Sequence, residues 1–235
     1  MLKAGSALPK AAPRKWQVPE PKFQALGYLD RTTLRRSFDD LPGDGYLPGR
    51  YRRYSNFKLV NGLLQPLGRK PFVQSKDVNR LVGGILRDFP PLDQSIVANS
   101  EFQALVRAFT LSCSPADTPA TEVGVHQIRV EAQPGSPGRP APEGAHQDGF
   151  DFVGIFCVGR EGITGGETHL FVSENARDPC FTYTVNAGEM LSFNDRSLFH
   201  YTTEIVADQS GWGRRDVFIF TARYLDFPHI ATRPH

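Results

Sequence analysis

The segment VGVHQIRVEA, residues 123–132, is rich in Val and Ile and is typical of a β-strand. Six similar short runs follow it, each bounded by Gly, Pro, Asn or Asp: DFVGIFCV (151–158), ETHLFV (167–172), FTYTV (181–185), EMLSF (189–193), FHYTTEIV (199–206) and RDVFIFTARYL (215–225). About seven strands at such close spacing predict an antiparallel sandwich or barrel.

The preceding part of the chain has a different texture. Apolar residues recur at spacings of three and four in Phe23–Phe38, Asp77–Phe89 and Asn99–Cys113, which predicts three helices. Between the first two lies GYLPGRYRRYSNFKL (45–59), whose alternating aromatic and basic residues indicate a strand or an extended arm. Helices followed by strands predict an α+β fold, mainly β, in which N-terminal helices buttress a jelly roll.

The length of 235 residues fits one domain. Residues 1–22 mix Pro, Lys and Ala without periodicity and are predicted to be a poorly ordered N-terminus. Residues 23–235 then form a single domain, with 23–121 as helical and arm support and 122–235 as the jelly-roll core. The Pro- and Gly-rich stretch 132–145 is predicted to be a mobile loop.

Composition excludes several classes of partner. A net charge of +2 makes no case for a polyanionic partner, and no apolar run has the length of a signal peptide or a membrane span. Three scattered cysteines without a CxxC pair favour a reducing cytoplasm. The basic and aromatic residues of 50–57 are able to stack nucleic-acid bases. We favour instead an arm over an active-site mouth, and the oligomeric state is not readable from the sequence.

His146 and Asp148 are the first candidate metal ligands. They lie two residues apart, and side chains at that spacing on a strand point to the same side. A hydrogen-bonded surface or core pair is the alternative for this short motif. His200, at the start of a later strand, supplies a second imidazole. Two His and one carboxylate form the facial triad of Fe(II) oxygenases, although zinc uses the same ligand types.

Arg215 is the fourth candidate residue, near the start of the strand after His200. Alternation places Arg215 and Val217 on one face and Arg214 and Asp216 on the other. A buried guanidinium needs a carboxylate, which its planar fork binds bidentately. In the alternative interpretation Arg214 and Arg215 form a solvated turn paired with Asp216, and the sequence does not fix which Arg faces inward.

These motifs, in the order HQDG, GGETHLF, NAGEMLSFND, His200 and GRRDVFIFTA, resemble the 2-oxoglutarate/Fe(II) dioxygenase superfamily. Within it the resemblance is strongest to the bacterial L-isoleucine 4-hydroxylase group, whose N-terminal arm is similar to DGYLPGRYRRYSNFKL (44–59). The resemblance implies a double-stranded β-helix and implies that His146, Asp148 and His200 ligate Fe(II). It further implies that Arg215 binds the C5 carboxylate of the co-substrate 2-oxoglutarate, with O₂ as oxidant.

Four residues are candidates for substrate binding. Gln127 and Arg129 share one face of their strand, and Arg129 binds a substrate carboxylate if that face lines the barrel, whereas a surface salt bridge is the alternative. Glu143 and Asp151 flank the metal motif formed by His146 and Asp148. They are candidate partners for the ammonium group of a substrate, although acidic loop residues are usually only solvated. His126 and His169 are interpreted as structural.

The function predicted is therefore hydroxylation of an unactivated C–H bond of a free or lightly modified amino acid, with release of succinate and CO₂. The same chemistry on a larger natural-product intermediate is one alternative. A non-catalytic jelly-roll binding module is another, which the joint presence of the four candidate residues disfavours. A zinc-dependent hydrolase is the third.

Overall fold

A computed structural model describes residues 20–60, 63–68, 84, 86–113, 121–209 and 211–224. Its N-terminal elements are β1 (Lys22–Ala25), α1 (Thr32–Arg36), β2 (Arg50–Val60), β3 (Leu63–Pro66), α2 (Gln94–Val97) and α3 (Ser100–Cys113). Its later elements are β4 (Thr121–Ala132), β5 (Phe152–Glu161), β6 (Ile163–Gly165), β7 (Thr168–Phe171), β8 (Phe181–Tyr183), β9 (Glu189–Asn194), β10 (Phe199–Thr202), β11 (Ile205–Ala207) and β12 (Gly213–Tyr224).

The strands form two layers. A large antiparallel sheet has the order β1-β9-β5-β12-β4-β2-β3, and the opposite layer contains β10-β7-β8 and β11-β6. Backbone bridges from Gly138 to Ile205 and from His146 to His200 add the segment between β4 and β5 to this second layer. The chain thus passes back and forth between the layers, which is the connectivity of a jelly roll. The predicted fold class is confirmed.

Both faces of the large sheet are buried. On one face Phe156, Phe218 and Phe220 pack against α3 through Phe102 and Phe109. On the other face a second core fills the space between the layers, and its members include Val153, Ile155, Cys157, Leu170, Leu191 and Val217. Because side chains alternate along β5 and β12, each of these strands contributes to both cores.

The helix predicted over Phe23–Phe38 is wrong for most of its length. Lys22–Ala25 is an edge strand in which Phe23 is paired with Leu191 of β9, and only Thr32–Arg36 is helical. The apolar spacing was real, because Leu26, Leu34 and other apolar side chains of this segment are buried in the core next to α3. Hydrogen bonding to the edge of the sheet satisfied the backbone groups of Lys22–Ala25. It outweighed the helical periodicity of the apolar residues in this segment.

The predicted helix at Asn99–Cys113 corresponds to α3. The side-chain oxygen of Asn99 accepts hydrogen bonds from the backbone N–H groups of Glu101 and Phe102 in the first turn of this helix. Most of the helix predicted at Asp77–Phe89 lies outside the described residues, as do residues 1–19, and the division of the chain into segments stays a prediction. None of the described helices has the length and apolarity needed to cross a bilayer.

Candidate active site

His146 and His200 are neighbours on two paired segments of the second layer. The backbone N–H of each donates to the carbonyl of the other, at 3.0 and 2.8 Å, and the two ring centroids are 4.3 Å apart. This isolated bridge fixes both imidazoles without a continuous strand around His146. The metal motif is therefore positioned by a local pairing and the turn that follows, and not by the strand alternation expected from the sequence.

Asp148 completes a group of three. The potential ligand atoms of His146, Asp148 and His200 all lie within 4.8 Å of one another. His146 Nε2 is 3.5 Å from Asp148 Oδ1, and His200 Nε2 is 3.8 Å from Asp148 Oδ2. His146 Nδ1 lies 2.9 Å from the carbonyl of Gly144, which accepts its proton and leaves the Nε2 lone pair for a metal.

Asp195, which the sequence analysis missed, holds the turn that carries Asp148. Its carboxylate accepts the backbone N–H groups of Asp148, Gly149 and Phe150 at 3.0, 2.8 and 3.0 Å. Its Oδ1 also lies 3.7 Å from Nδ1 of His200. Burial and the charge of Asp148 raise the pKa of Asp195, and the three N–H donors oppose that shift. Its position after NAGEMLSFN, just before the loop to His200, was the available signal.

The charges of the three candidate ligands are coupled. Burial opposes ionisation of Asp148, but hydrogen bonding to His146 and the charge of His200 outweigh it and hold the pKa of Asp148 well below its usual range. Burial likewise disfavours a charged His146, yet Asp148 and Glu143 raise the pKa of His146 to about 9. Burial and the charge of His146 lower the pKa of His200 to about 3. The group therefore offers an ionised carboxylate and the neutral imidazole of His200 to a cation, and His146 would lose its Nε2 proton on binding one.

The three side chains open into a cavity of about 360 Å³ between the layers. Its apolar wall comes from the inward faces of β4, β5 and β12, namely Ile128, Val130, Val153, Ile155, Val217 and Ile219. The loop residues Pro140, Ala141 and Pro142 cover another side. An apolar pocket with a few polar groups is the usual form of a small-molecule site.

Arg215, and not Arg214, faces this cavity. Its residue surface is only 2% exposed, and burial lowers the pKa of its guanidinium. Within the part of the chain that the structure describes, its Nε and Nη2 have no hydrogen-bond partner. Arg214 points to the opposite face, where it pairs with Glu161 at 2.9 Å. A buried guanidinium with unmade hydrogen bonds is suited to a carboxylate that enters the cavity.

Gln127 and Arg129 lie on the wrong face of β4 for the predicted substrate contact. Gln127 Nε2 donates to Ser37, and Arg129 makes a bidentate pair with Asp216 at 2.7 and 2.9 Å. Alternation gave the two faces of β4 correctly, but the face that lines the cavity carries His126, Ile128 and Val130.

Of the two acidic candidates, only Glu143 lines the cavity, with its Oε1 3.4 Å from Nε2 of His146. Asp151 is not among the residues that line the cavity and forms an ion pair with Arg196. Its contact with a substrate stays a prediction that this position does not favour.

Three basic residues of the cavity wall were not assigned to the site from the sequence: Arg50, Arg52 and Arg87. The first two belong to β2, which is an integral strand of the large sheet beside β4 and contributes these side chains to the cavity. Alternation of buried basic residues in GRYRRY was the available signal. His126 also lines the cavity but is outside the three-residue group, whereas His169 pairs with Glu167 at 2.8 Å.

Comparisons with known proteins agree on one family. A family model described as 2OG-Fe dioxygenase matches residues 35–221. A 3(1)-hydroxy-L-isoleucine 4-dioxygenase of Pantoea ananatis is 27% identical over 199 residues, which are 80% of this chain and 78% of that protein. An L-isoleucine-4-hydroxylase of Bacillus thuringiensis is 25% identical over 201 residues, 83% of each chain. The solved structure of a bsmA homolog from Methylobium petroleophilum PM1 has a TM-score of 0.71 and 26% identity, and the match covers 85% of this chain and 82% of that one.

Proposed function

This chain belongs to the 2OG-Fe dioxygenase family, and on that premise we propose that it hydroxylates an unactivated C–H bond of a free or lightly modified amino acid. The family uses Fe(II), 2-oxoglutarate and O₂. Two relatives that span most of this chain carry the names of isoleucine oxygenases, which supports an amino-acid substrate. The organic products are succinate and the hydroxylated amino acid, and CO₂ is released.

His146, Asp148 and His200 are the residues proposed to hold the iron. Their donor set is two imidazoles and one carboxylate, with ligand atoms within 4.8 Å of one another, which fits a facial triad that leaves three positions open. When bound, Fe(II) supplies the redox chemistry that couples decarboxylation of 2-oxoglutarate to insertion of one oxygen atom of O₂ into a C–H bond.

Arg215 is proposed to bind the C5 carboxylate of 2-oxoglutarate. Its unmade hydrogen bonds at Nε and Nη2 are the observation that supports this role. Val130, which is paired with Arg215 in the sheet, and Val217, two residues along the same strand, also line the cavity. These apolar side chains exclude water from the ion pair, which strengthens it. The far end of the co-substrate is thereby fixed, so that its 2-oxo acid end is directed toward the three ligands.

The substrate side of the cavity supports a small amino acid. Glu143 is proposed to bind the ammonium group, because its carboxylate lies beside the metal ligands and inside the cavity. The aliphatic wall suits an apolar side chain. The volume of about 360 Å³ is near the lower end of small-molecule pockets, which run from about 300 to 1,000 Å³, and this disfavours a large natural-product substrate.

The observation that carries the proposal is that three convergent candidate ligands share one cavity with a buried guanidinium whose Nε and Nη2 have no hydrogen-bond partner among the described residues. The test is succinate formation by the purified protein with Fe(II), ascorbate, 2-oxoglutarate and O₂, in the presence of each proteinogenic amino acid. We expect one or a few amino acids to stimulate succinate and to yield a product heavier by one oxygen atom. His146→Ala abolishes both.

Arg215 is tested against its neighbour on β12. Arg215→Met is expected to raise the KM for 2-oxoglutarate about ten- to a hundredfold, because about 1.5–3 kcal/mol of charged hydrogen bonding is lost. Arg214→Met removes the same charge from the opposite face and leaves that KM within a few-fold. If neither Fe(II) nor 2-oxoglutarate binds the wild-type protein, the proposed function is wrong. If both bind but no amino acid is oxidised, the amino-acid substrate is wrong.

A further inference from the structure

Arg160 and Arg215 are a directly opposed pair of like charges on the large sheet. Arg215 of β12 is paired with Arg160 of β5 on one side and with Val130 of β4 on the other. Side chains of directly opposed residues point to the same face of a sheet, so Arg160 is directed between the two layers, as Arg215 is. Like charges in such a pair are destabilising, and an anion placed beside them would offset that cost.

The Gly165–Gly166 turn holds the two side chains close together. Nη2 of Arg160 donates to the carbonyl of Gly165 at 2.6 Å. Gly166 has a φ of +69°, and a Cβ at this residue would lie 2.9 Å from Nη1 of Arg160 and 3.4 Å from Cδ of Arg215. Both side chains therefore pass over the same glycine, and the absence of a side chain at Gly166 lets them approach each other.

The hydrogen-bond donors of this pair are not fully used. Nη1 of Arg160, and Nε and Nη2 of Arg215, are buried and have no hydrogen-bond partner among the described residues. Glu161 and Asp216, which adjoin the two arginines in the chain, are each paired with another arginine. Burial, and to a smaller extent the charge of Arg160, lowers the pKa of the Arg215 guanidinium. A carboxylate beside Arg215 would accept hydrogen bonds from its unused donors and counter both charges.

The hydrogen bond to Gly165 offers a simpler explanation, in which Arg160 only ties the end of β5 to the turn. That role uses Nη2 and leaves the buried Nη1 unexplained. Arg215 lines the cavity and Arg160 does not, so Arg160 acts on a carboxylate bound to Arg215 through its charge. The apolar side chains of Val130 and Val217 adjoin Arg215 on the sheet and line the cavity, and in such surroundings the attraction is weakly screened.

We propose that Arg160 is a positioning residue of the co-substrate subsite, and that its charge, beside that of Arg215, makes the cavity select 2-oxo acids that carry a second carboxylate. This inference rests on the proposed function and specifies how the co-substrate is recognised. The C5 carboxylate of 2-oxoglutarate places an anion beside two cations. A 2-oxo acid that ends in a methyl group leaves both cations without a counter-charge.

The experiment is an anaerobic calorimetric titration of the Fe(II)-loaded protein with two 2-oxo acids. 2-Oxoglutarate carries the C5 carboxylate, whereas 2-oxopentanoate has the same chain and the same 2-oxo acid end but a methyl group at C5. The ratio of their dissociation constants measures recognition of the C5 carboxylate separately from binding of the 2-oxo acid end. We expect the wild type to bind 2-oxoglutarate about a hundredfold more tightly, because two charged interactions of about tenfold each are involved.

Variants at two positions locate the effect. Arg160→Met should weaken binding of 2-oxoglutarate about tenfold and leave the affinity for 2-oxopentanoate within about twofold, so that the ratio falls. Arg160→Lys, which restores the charge, should recover part of the ratio. Arg35→Met is the matched control, because Arg35 is a cation on the opposite face of the sheet near the same end of β5, where it is paired with Glu161. Its removal should leave the ratio unchanged, and the melting temperature of each variant reports that it is folded.

The outcomes separate this inference from the proposed function. A ratio unchanged by Arg160→Met overturns the role of Arg160, and so does an equal loss of affinity for both 2-oxo acids, which would indicate a structural role through Gly165. Either result leaves the oxygenase function standing. If the wild type binds neither 2-oxo acid, the oxygenase function is wrong and this inference fails with it. If Arg160→Met does not fold, Arg160→Gln, which keeps an amide donor without the charge, gives the same comparison.

Discussion

Asp195 is a buried residue that orients the candidate metal ligands without being one of them. It is 1% exposed, and it ties the backbone of the metal motif to the loop that leads to His200. Partners of this kind orient metal ligands without touching the metal, and their loss typically costs about ten- to a hundredfold in metal affinity or activity.

Asp195→Asn should therefore weaken binding of Fe(II), or of Co(II) as a stable substitute, by about ten- to a hundredfold. The amide nitrogen of Asn cannot accept a hydrogen bond, so either Asp148 N–H or the N–H groups of Gly149 and Phe150 lose their partner. Metal titration by calorimetry measures the effect. Asp178→Asn, at an exposed position, is the control, and equal affinities in the two variants would contradict the role of Asp195.

Arg129 does not line the cavity and is paired with Asp216, so we expect it to contribute to stability. Arg129→Met leaves Asp216 buried without its bidentate partner and should lower the free energy of unfolding by about 3–5 kcal/mol, measured by urea denaturation. The KM for the amino acid should stay near the wild-type value. The double variant Arg129→Met/Asp216→Leu should recover much of the loss, because no unpaired charge remains; a raised KM in the folded single variant would restore Arg129 as a substrate ligand.

At the level of secondary structure, the contact between α3 and β5 determines how closely the helical layer approaches the large sheet. Gly154 of β5 lies under the ring of Phe109 of α3, and a Cβ there would be 2.5 Å from Phe109 Cδ2. Phe109 is fully buried and stacks on Phe220 of β12, with ring centroids 5.4 Å apart. The absence of a side chain at Gly154 is what lets the helix pack directly on the sheet.

Gly154→Ala should lower the free energy of unfolding by about 1–3 kcal/mol, because the methyl group overpacks a full core. Gly159→Ala on the same strand is the matched control, since its nearest neighbour would be 3.9 Å away and the expected change is within about 0.5 kcal/mol. Thermal or urea unfolding compares the two. Equal stabilities would mean that α3 shifts freely on the sheet.

For the molecule as a whole, the position of the cavity follows from the two cores. The core beneath α3 is continuous, whereas the core between the layers ends at the cavity, where Val153, Ile155 and Val217 line an open space. The proposed metal ligands lie in the second layer and in the loop before β5, and Arg215 and Arg52 belong to the large sheet. The active site therefore depends on both layers remaining packed.

The reactivity of the three cysteine thiols measures how tightly the two layers are packed. Cys180 is exposed, whereas Cys113 and Cys157 are buried. Burial raises the pKa of Cys113 to about 12 and also raises the pKa of Cys157, so neither forms an appreciable amount of reactive thiolate at pH 8. Ellman's reagent should modify one thiol rapidly in the native protein and three in denaturant. Rapid reaction of two or three native thiols would show that α3 or β5 opens readily.

Local patterns in the amino-acid sequence were enough to predict most of the strands, the candidate site residues and the two faces of each strand. Runs of β-branched and aromatic residues identified the jelly roll, and the spacing of His146, Asp148, His200 and Arg215 identified candidate ligands that the fold brings to one cavity. These features are local, because propensity and alternation act between neighbouring residues.

The inward face of each strand and the contacts between residues far apart in the chain become clear only in the folded molecule. Arg129 and Arg52 are both buried arginines on strands, yet one is paired with Asp216 behind the sheet and the other lines the cavity. Asp195 lies 47 residues from Asp148 in the chain and becomes its neighbour through the pairing of β5 with β9. Alternation defines two faces but not their environments, which depend on the layers packed against each face.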